Sequence, residues 1–72
     1  MHNLPQRLIQ LKTERNILQK DIAKDNSIAL RTYQSYEKGE SEPTTTTIIK
    51  LCNYFNVSAD YLLGLSDDPT RH

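Results

Sequence analysis

The sequence lacks the residue types from which most small catalytic and metal sites are built. Its 72 residues include one cysteine, Cys52, and the two histidines, His2 and His72, lie at opposite ends of the chain. A single cysteine forms no internal disulfide, and no histidine and cysteine have the spacing of metal ligands. A glycine-rich phosphate loop is absent too. An enzyme is therefore disfavoured, and no cofactor or metal is expected.

Long apolar segments are missing as well. No run approaches the roughly 18 residues that a membrane span requires, and the first residues carry no apolar block of the kind found in signal peptides. The lone cysteine suits a reducing compartment. These features predict a cytoplasmic protein without a membrane partner, and no small-molecule ligand is evident.

Neither sign of charge is in excess, because nine Lys and Arg residues balance nine Asp and Glu residues. The distribution is uneven. Residues 1–39 carry seven basic and four acidic residues, a balance of +3, whereas residues 40–72 carry two and five, a balance of −3. A mildly basic first half is compatible with a surface that faces phosphate groups. Charge alone favours the simpler interpretation, a solvated surface without function.

Apolar residues at helical spacing, by contrast, run along the whole chain, and there is no alternating strand pattern. Gly39 and Gly64 each follow a periodic segment, as glycines do where helices end. The pattern predicts an all-α fold of five helices: about 4–15, 18–25 and 29–38, a fourth opened by Pro43 and the threonines at 44–47, and a fifth capped by Ser58.

These helices are expected to form one domain over residues 1–65, followed by a short polar tail at 66–72 that is frayed. In the second predicted helix, Leu18, Ile22 and Ala23 are expected to point inward.

The third predicted helix has two contrasting sides. Tyr33 and Tyr36 share an inward face, and a polar stripe at spacings i, i+3, i+4 and i+7 lies opposite, formed by Arg31, Gln34, Ser35 and Lys38, with Leu30 beside it. A helix-turn-helix needs a short helix of this kind, packed on one side and able to reach base edges with the other. An ordinary amphipathic surface helix explains the periodicity equally well, so the pattern leaves both interpretations open.

Four fragments of the sequence together resemble the pattern of a known protein family. They are Leu18-Gln19-Lys20-Asp21-Ile22-Ala23, Tyr36-Glu37-Lys38-Gly39, Pro43, and Val57-Ser58-Ala59-Asp60-Tyr61-Leu62-Leu63-Gly64. In this order and spacing, the segment from about Leu8 to Gly64 resembles the lambda-repressor-like, Cro-type (XRE) helix-turn-helix regulators of bacteria and phages. The resemblance implies a compact five-helix domain with the helix-turn-helix at its second and third helices. It also implies a transcriptional regulator that binds double-stranded DNA, most simply as a repressor.

The resemblance further implies roles for matching positions. Base contacts are expected from Leu30, Arg31, Gln34 and Ser35. Arg31 is favoured for direct readout because its planar fork can hold guanine O6 and N7, with a phosphate contact as the alternative. Leu30 has two open interpretations, a contact with a thymine methyl group or an incidental exposed side chain. Phosphate contacts are expected from Gln19, Thr32, Lys38, Gly39 and Ser41.

Two further assignments concern structure and assembly. Glu37 is expected to pair with Lys12 and to fix the third helix against the first, without contacting DNA. Leu63 and Leu65 are expected to lie at the interface of a homodimer that binds a pseudo-palindromic operator. The alternative function is a protein-interaction module on the same fold, either antitoxin-like or an antirepressor.

The chain also departs from the family pattern. Ser27 stands where the turn usually has glycine, and Asn26 before it is expected to help the turn because asparagine tolerates positive φ. Ala29 replaces the usual Ser or Thr cap of the third helix. Glu40 and Glu42 are expected to repel the DNA backbone, which predicts a modest, salt-sensitive affinity.

Overall fold

Five short α-helices make up most of the part of the chain that the structure, a computed structural model, describes, residues 3–70. They are α1 Leu4–Glu14, α2 Gln19–Asp25, α3 Leu30–Lys38, α4 Thr45–Phe55 and α5 Ala59–Leu62. No strand occurs within residues 3–70, so the all-α prediction is confirmed. Residues 1, 2, 71 and 72, which include both histidines and the end of the predicted tail, lie outside the described residues. Over the same range no helix is long and apolar enough to cross a membrane.

The core forms where one face of each helix meets the others. In α1, Leu4, Leu8 and Leu11 follow each other at helical spacing, and each is at most 2% exposed. The other helices and the turn before α5 close over them with Ile22, Ala23, Tyr33, Tyr36, Leu51, Cys52, Phe55, Val57, Tyr61 and Leu62. α1 packs against both α3 and α5, α3 packs also against α2, and α5 also against α4.

Leu18 was predicted to point inward, and this prediction is wrong. Its side chain is 57% exposed. The residue precedes the first turn of α2 with an extended backbone, φ −83° and ψ 149°, and is therefore off the inward stripe of that helix. Ile17 packs against the core from this connection instead.

Side chains close the beginnings of the last two helices, as the sequence predicts. The Thr44 side chain accepts a hydrogen bond from Thr47 N, and Ser58 Oγ accepts one from Tyr61 N at 3.1 Å. Ala29 has the extended backbone of an N-cap residue but no side chain that can accept a bond. The start of α3 therefore lacks a stabilising contact that α4 and α5 possess.

Gly39 ends α3 in the left-handed conformation, with φ 75°. Its N–H donates to Tyr36 O at 3.2 Å, and Glu40 N donates to Ser35 O at 2.9 Å. These two bonds form a Schellman motif, which satisfies the last carbonyl groups of the helix. The chain then turns sharply toward α4.

The turn between α2 and α3 differs from the expectation. Ser27, not Asn26, adopts the left-handed conformation, with φ 57°. Asn26 keeps a negative φ and is buried. Its side-chain Nδ2 donates to Ile22 O at 2.8 Å, which satisfies the buried amide. Ile28 N then bonds back to Ala23 O at 2.8 Å. The amide of Asn26 thus caps α2, and a serine without a compensating side-chain bond occupies the strained position.

Ser27→Gly is expected to raise the free energy of unfolding by about 0.5–1 kcal/mol, because glycine removes a left-handed strain of about 1–2 kcal/mol and loses part of it to greater chain entropy. Urea denaturation measures the change. Asn56→Gly is the matched control, since Asn56 also has φ 57° but is a residue type that tolerates it. An unchanged or lower stability of Ser27→Gly would contradict the assigned strain.

The polar segment predicted to fray contacts the body of the domain as far as Pro69. Arg7 lies over the Tyr61 ring, 4.0 Å from its centroid, and donates to Ser66 O at 3.4 Å. Ser58 N donates to Pro69 O at 3.1 Å. The first residues of this segment therefore extend the contact between α1 and α5.

Candidate nucleic-acid interface

The inner side of α3 is held by two tyrosines. Tyr33 is 0% and Tyr36 is 8% exposed, and their rings meet edge to face with centroids 6.5 Å apart. Because α3 packs against α1 and α2 through this side, its opposite side faces solvent.

The outer side of α3 is open along its length. Leu30 is 42% exposed, Arg31, Thr32 and Lys38 are exposed, and Gln34 and Ser35 are half-buried. All four residues predicted to contact bases, Leu30, Arg31, Gln34 and Ser35, therefore reach the surface. An unobstructed polar helix face of this length can enter a major groove about 12 Å wide.

Glu37 ties three helices together beneath this face. Its side chain is 6% exposed, and its Oε1 accepts hydrogen bonds from Lys12 Nζ at 3.0 Å and from Gln19 Nε2 at 2.9 Å. Lys12 belongs to α1 and Gln19 to α2, so the carboxylate of α3 fixes both neighbours. The predicted contact between Lys12 and Glu37 is present, and Gln19 joins it.

Gln19 also contacts the outer side of α3. Its Oε1 accepts from Gln34 Nε2 at 3.2 Å. Each amide nitrogen carries two hydrogens, so Gln19 keeps one N–H for an acceptor outside the protein. Gln34 keeps its Oε1 and one N–H, which is the donor and acceptor pair that matches adenine N7 and N6.

The second oxygen of Glu37 faces the interior. Glu37 Oε2 and Tyr33 Oη are both buried, and neither has a hydrogen-bond partner of acceptable geometry. Burial raises the pKa of Tyr33, and the nearby Glu37 carboxylate raises it further. The phenol therefore stays protonated and takes no part in the exposed surface.

Two hydroxyl groups connect α3 to the loop that follows it. Ser35 Oγ donates to Thr32 O at 2.7 Å and lies 2.5 Å from Ser41 Oγ. Gly39, the remaining predicted phosphate contact of this region, uses its N–H within the helix end described above. The loop is thus held close to the outer face of α3.

This arrangement of α2, turn and α3 matches a known family. The family model described as "Helix-turn-helix domain" matches residues 6–67. The chain belongs to this helix-turn-helix family. It is of the XRE type, and its relatives are named HTH-type transcriptional regulators, a non-enzymatic class of DNA-binding proteins, as the sequence predicts.

Three relatives define the similarity. YobD, an uncharacterized HTH-type transcriptional regulator of Bacillus subtilis, is 36% identical over 64 residues, which cover 89% of this chain and 57% of YobD. ImmR, an HTH-type transcriptional regulator of the same species, is 37% identical over 62 residues, covering 86% and 49%. RstR, the cryptic phage CTXphi transcriptional repressor of Vibrio cholerae, is 32% identical over 57 residues, covering 79% and 51%. The chain spans about half the length of these relatives.

A solved structure supports the same fold. The crystal structure of a transcriptional regulator from Listeria innocua superimposes with a TM-score of 0.84 at 33% identity, covering 89% of this chain and 60% of that one. The five-helix helix-turn-helix prediction is therefore confirmed. The roles of individual residues on its surface remain predictions.

Acidic residues flank the helix-turn-helix. Glu40 and Glu42 are exposed in the loop after α3, close to Lys38. Carboxylates in this position oppose the approach of phosphate groups. They offset the positive charge of Arg31 and Lys38.

The two predicted dimer residues differ in exposure. Leu65 is 66% exposed, whereas Leu63 is half-buried and packs against the core. Only Leu65 therefore offers most of its side chain to a partner.

Across residues 3–70 no group of three His, Cys, Asp or Glu side chains is placed to hold a metal ion.

Reasoning from the sequence missed the links that Gln19 makes. Its partners Glu37 and Gln34 lie 18 and 15 residues away, and these separations carry no periodic signal. A polar residue at the first position of α2 was the only indication that the sequence offered.

Proposed function

We propose that this chain is a sequence-specific regulator of transcription that binds double-stranded DNA and reads the major groove with α3. One observation carries the proposal: the outer face of α3 is open while Tyr33, Tyr36 and Glu37 hold its inner face. The similarity to ImmR, a transcriptional regulator, and to RstR, a transcriptional repressor, supports the same class of function.

Base recognition is assigned to the exposed side chains near the start of α3. Arg31 donates two hydrogen bonds to guanine O6 and N7, and Leu30 packs against a thymine methyl group. Gln34, held by Gln19, contacts an adenine with its remaining amide atoms. These contacts cover about three to five base pairs in one half-site.

Phosphate contacts are assigned to residues around the edge of this face. Lys38 supplies charge, Thr32 a hydroxyl group, and Gln19 its remaining N–H. Two nearby carboxylates, Glu40 and Glu42, weaken this part of the binding. The expected result is a modest affinity that falls strongly as salt is added.

Regulation follows from occupancy of the operator. Two copies bind a pseudo-palindrome whose half-sites are about one helical turn apart, and bound protein blocks the polymerase, which makes repression the simplest outcome. Leu63 and Leu65 form the dimer contact. The compartment is the cytoplasm, where Cys52 stays reduced.

Selection of preferred duplexes from a random library tests this function. We expect the selection to enrich a palindromic sequence. The logarithm of the protein's affinity for this duplex is expected to fall linearly with the logarithm of the salt concentration. An interaction module without DNA binding predicts no enrichment and no saturable binding even at low salt. A lack of enrichment, or a lack of saturable binding at low salt, would contradict the proposed regulatory function.

Leu65→Asp tests the dimer. A buried charge at the contact is expected to shift the protein toward monomer in sedimentation equilibrium and to lower affinity for the full palindrome about 10-fold or more, while binding to a single half-site is unchanged. Ile49→Asp is the matched control, because Ile49 is 55% exposed and lies on α4. Equal behaviour of the two variants would place the dimer contact elsewhere.

A further inference from the structure

The hydrogen bonds between Thr32, Ser35 and Ser41 have a fixed order of donors. Ser35 Oγ lies 2.7 Å from Thr32 O, and a carbonyl oxygen only accepts. A serine hydroxyl has a single proton, so Ser35 gives its proton to Thr32. In the 2.5 Å bond between the two hydroxyl groups, Ser41 must then be the donor.

This order determines what Ser35 can offer to a base. Its proton points back along α3, and one of its two acceptor positions receives the proton of Ser41. One acceptor position remains, and Ser35 is half-buried on the outer side of α3. Major-groove donors are the adenine N6 and cytosine N4 amino groups, whereas N7, O6 and O4 are acceptors. A side chain that only accepts can bond the amino groups and none of the others.

We infer that Ser35 reads a base amino group as a hydrogen-bond acceptor and that Ser41, by donating to Ser35 Oγ, is the positioning residue that keeps this hydroxyl turned toward Thr32 O. The inference rests on the proposed function and adds the polarity of one base contact to it. Phosphate oxygens also only accept. The proton of Ser41 is directed at Ser35, so the phosphate contact expected for this hydroxyl is replaced by a role within the protein.

Base analogues in the selected duplex test the polarity. The position to modify is the base pair at which Ser35→Ala changes the preference of the full chain, measured by fluorescence anisotropy at fixed salt. Purine in place of adenine, or 2-pyrimidinone in place of cytosine, removes the amino group. A 7-deaza purine at the same base pair keeps every amino group and removes the N7 acceptor.

Removal of the amino group is expected to lower the affinity of the wild type about 5-fold, the size of one neutral hydrogen bond. The same analogue is expected to leave Ser35→Ala unchanged, and the 7-deaza analogue is expected to affect both proteins equally. The inference is overturned if Ser35→Ala alters no base preference. It is also overturned if the 7-deaza analogue lowers the affinity of the wild type but leaves the affinity of Ser35→Ala unchanged. A wild type that enriches no sequence at all overturns the proposed function itself, which is a different result.

Ser41→Ala separates positioning from a phosphate contact. The variant is expected to lose discrimination at the base pair that Ser35 reads while keeping wild-type affinity for an unselected duplex. Equal loss of affinity on selected and unselected duplexes would show that Ser41 binds phosphate and would reverse the order of donors. Circular dichroism of both serine variants shows whether α3 is retained.

Discussion

Arg31→Ala is expected to weaken binding to the selected duplex by about 1–3 kcal/mol, or roughly 5- to 150-fold, and to relax the preference at one base pair. The guanidinium group is exposed on the outer face of α3 and makes no ion pair or hydrogen bond within residues 3–70. Removing it therefore changes the complex more than the free protein. Anisotropy titrations against the four possible base pairs at each position give both the loss and its location.

Lys38→Ala is the matched control for a cation on the same helix. Its removal is expected to weaken binding to all duplexes alike and to reduce the slope of log affinity against log salt by about one. If Arg31→Ala behaves in the same sequence-independent way, Arg31 contacts phosphate and the proposed base contact is wrong.

Glu37→Ala is expected to lower the free energy of unfolding by about 2–3 kcal/mol, because a nearly buried carboxylate with two charge-assisted or polar bonds is lost. The value lies at the lower end of the range for buried pairs, since Lys12 is 22% exposed and can turn to water. Affinity is expected to fall on every duplex as well, because Gln19 loses its anchor and in turn frees Gln34.

Two variants sharpen this measurement. Glu37→Gln keeps an oxygen that accepts from Gln19 and is expected to cost less than Glu37→Ala. Glu14→Ala removes an exposed carboxylate that accepts one bond from Gln10, and its effect is expected to stay within about 0.5 kcal/mol. Equal stability of Glu37→Ala and the wild type in urea denaturation would show that the three helices are held by apolar packing alone.

The inward and outward sides of α3 could be predicted because they depend on the spacing of residues that are close together in the sequence. Tyr33 and Tyr36 are three residues apart, so a helix must place them on the same side, and the structure buries both. The exposure of Arg31 and Lys38 follows from the same periodicity. The pairing of Lys12 with Glu37 came from resemblance to the family, since 25 residues separate them.

Two sequence-based expectations failed at residues that lie next to the end of a helix. Leu18 was assigned to the inside because it falls on the apolar periodicity of the second helix, but it lies just before α2 begins and stays exposed. Asn26 was expected to help the turn through its tolerance of positive φ, yet it keeps a negative φ, its amide bonds Ile22 O, and Ser27 takes the left-handed position. In both cases the position of a helix end decided the outcome, and periodicity defines helix ends poorly.

Sequence periodicity was sufficient to predict the five helices, most of their inward-facing residues and the polar side of α3, because residues that share a helix face recur about every 3.6 positions along the chain. The links of Gln19 to Glu37 and Gln34 and the contact of Ser35 with Ser41 in the following loop depend instead on how the helices and the loop pack together. Bonds of this kind join residues that meet through the angle of a turn or the path of a loop, and they require distances of about 3 Å that no local pattern encodes.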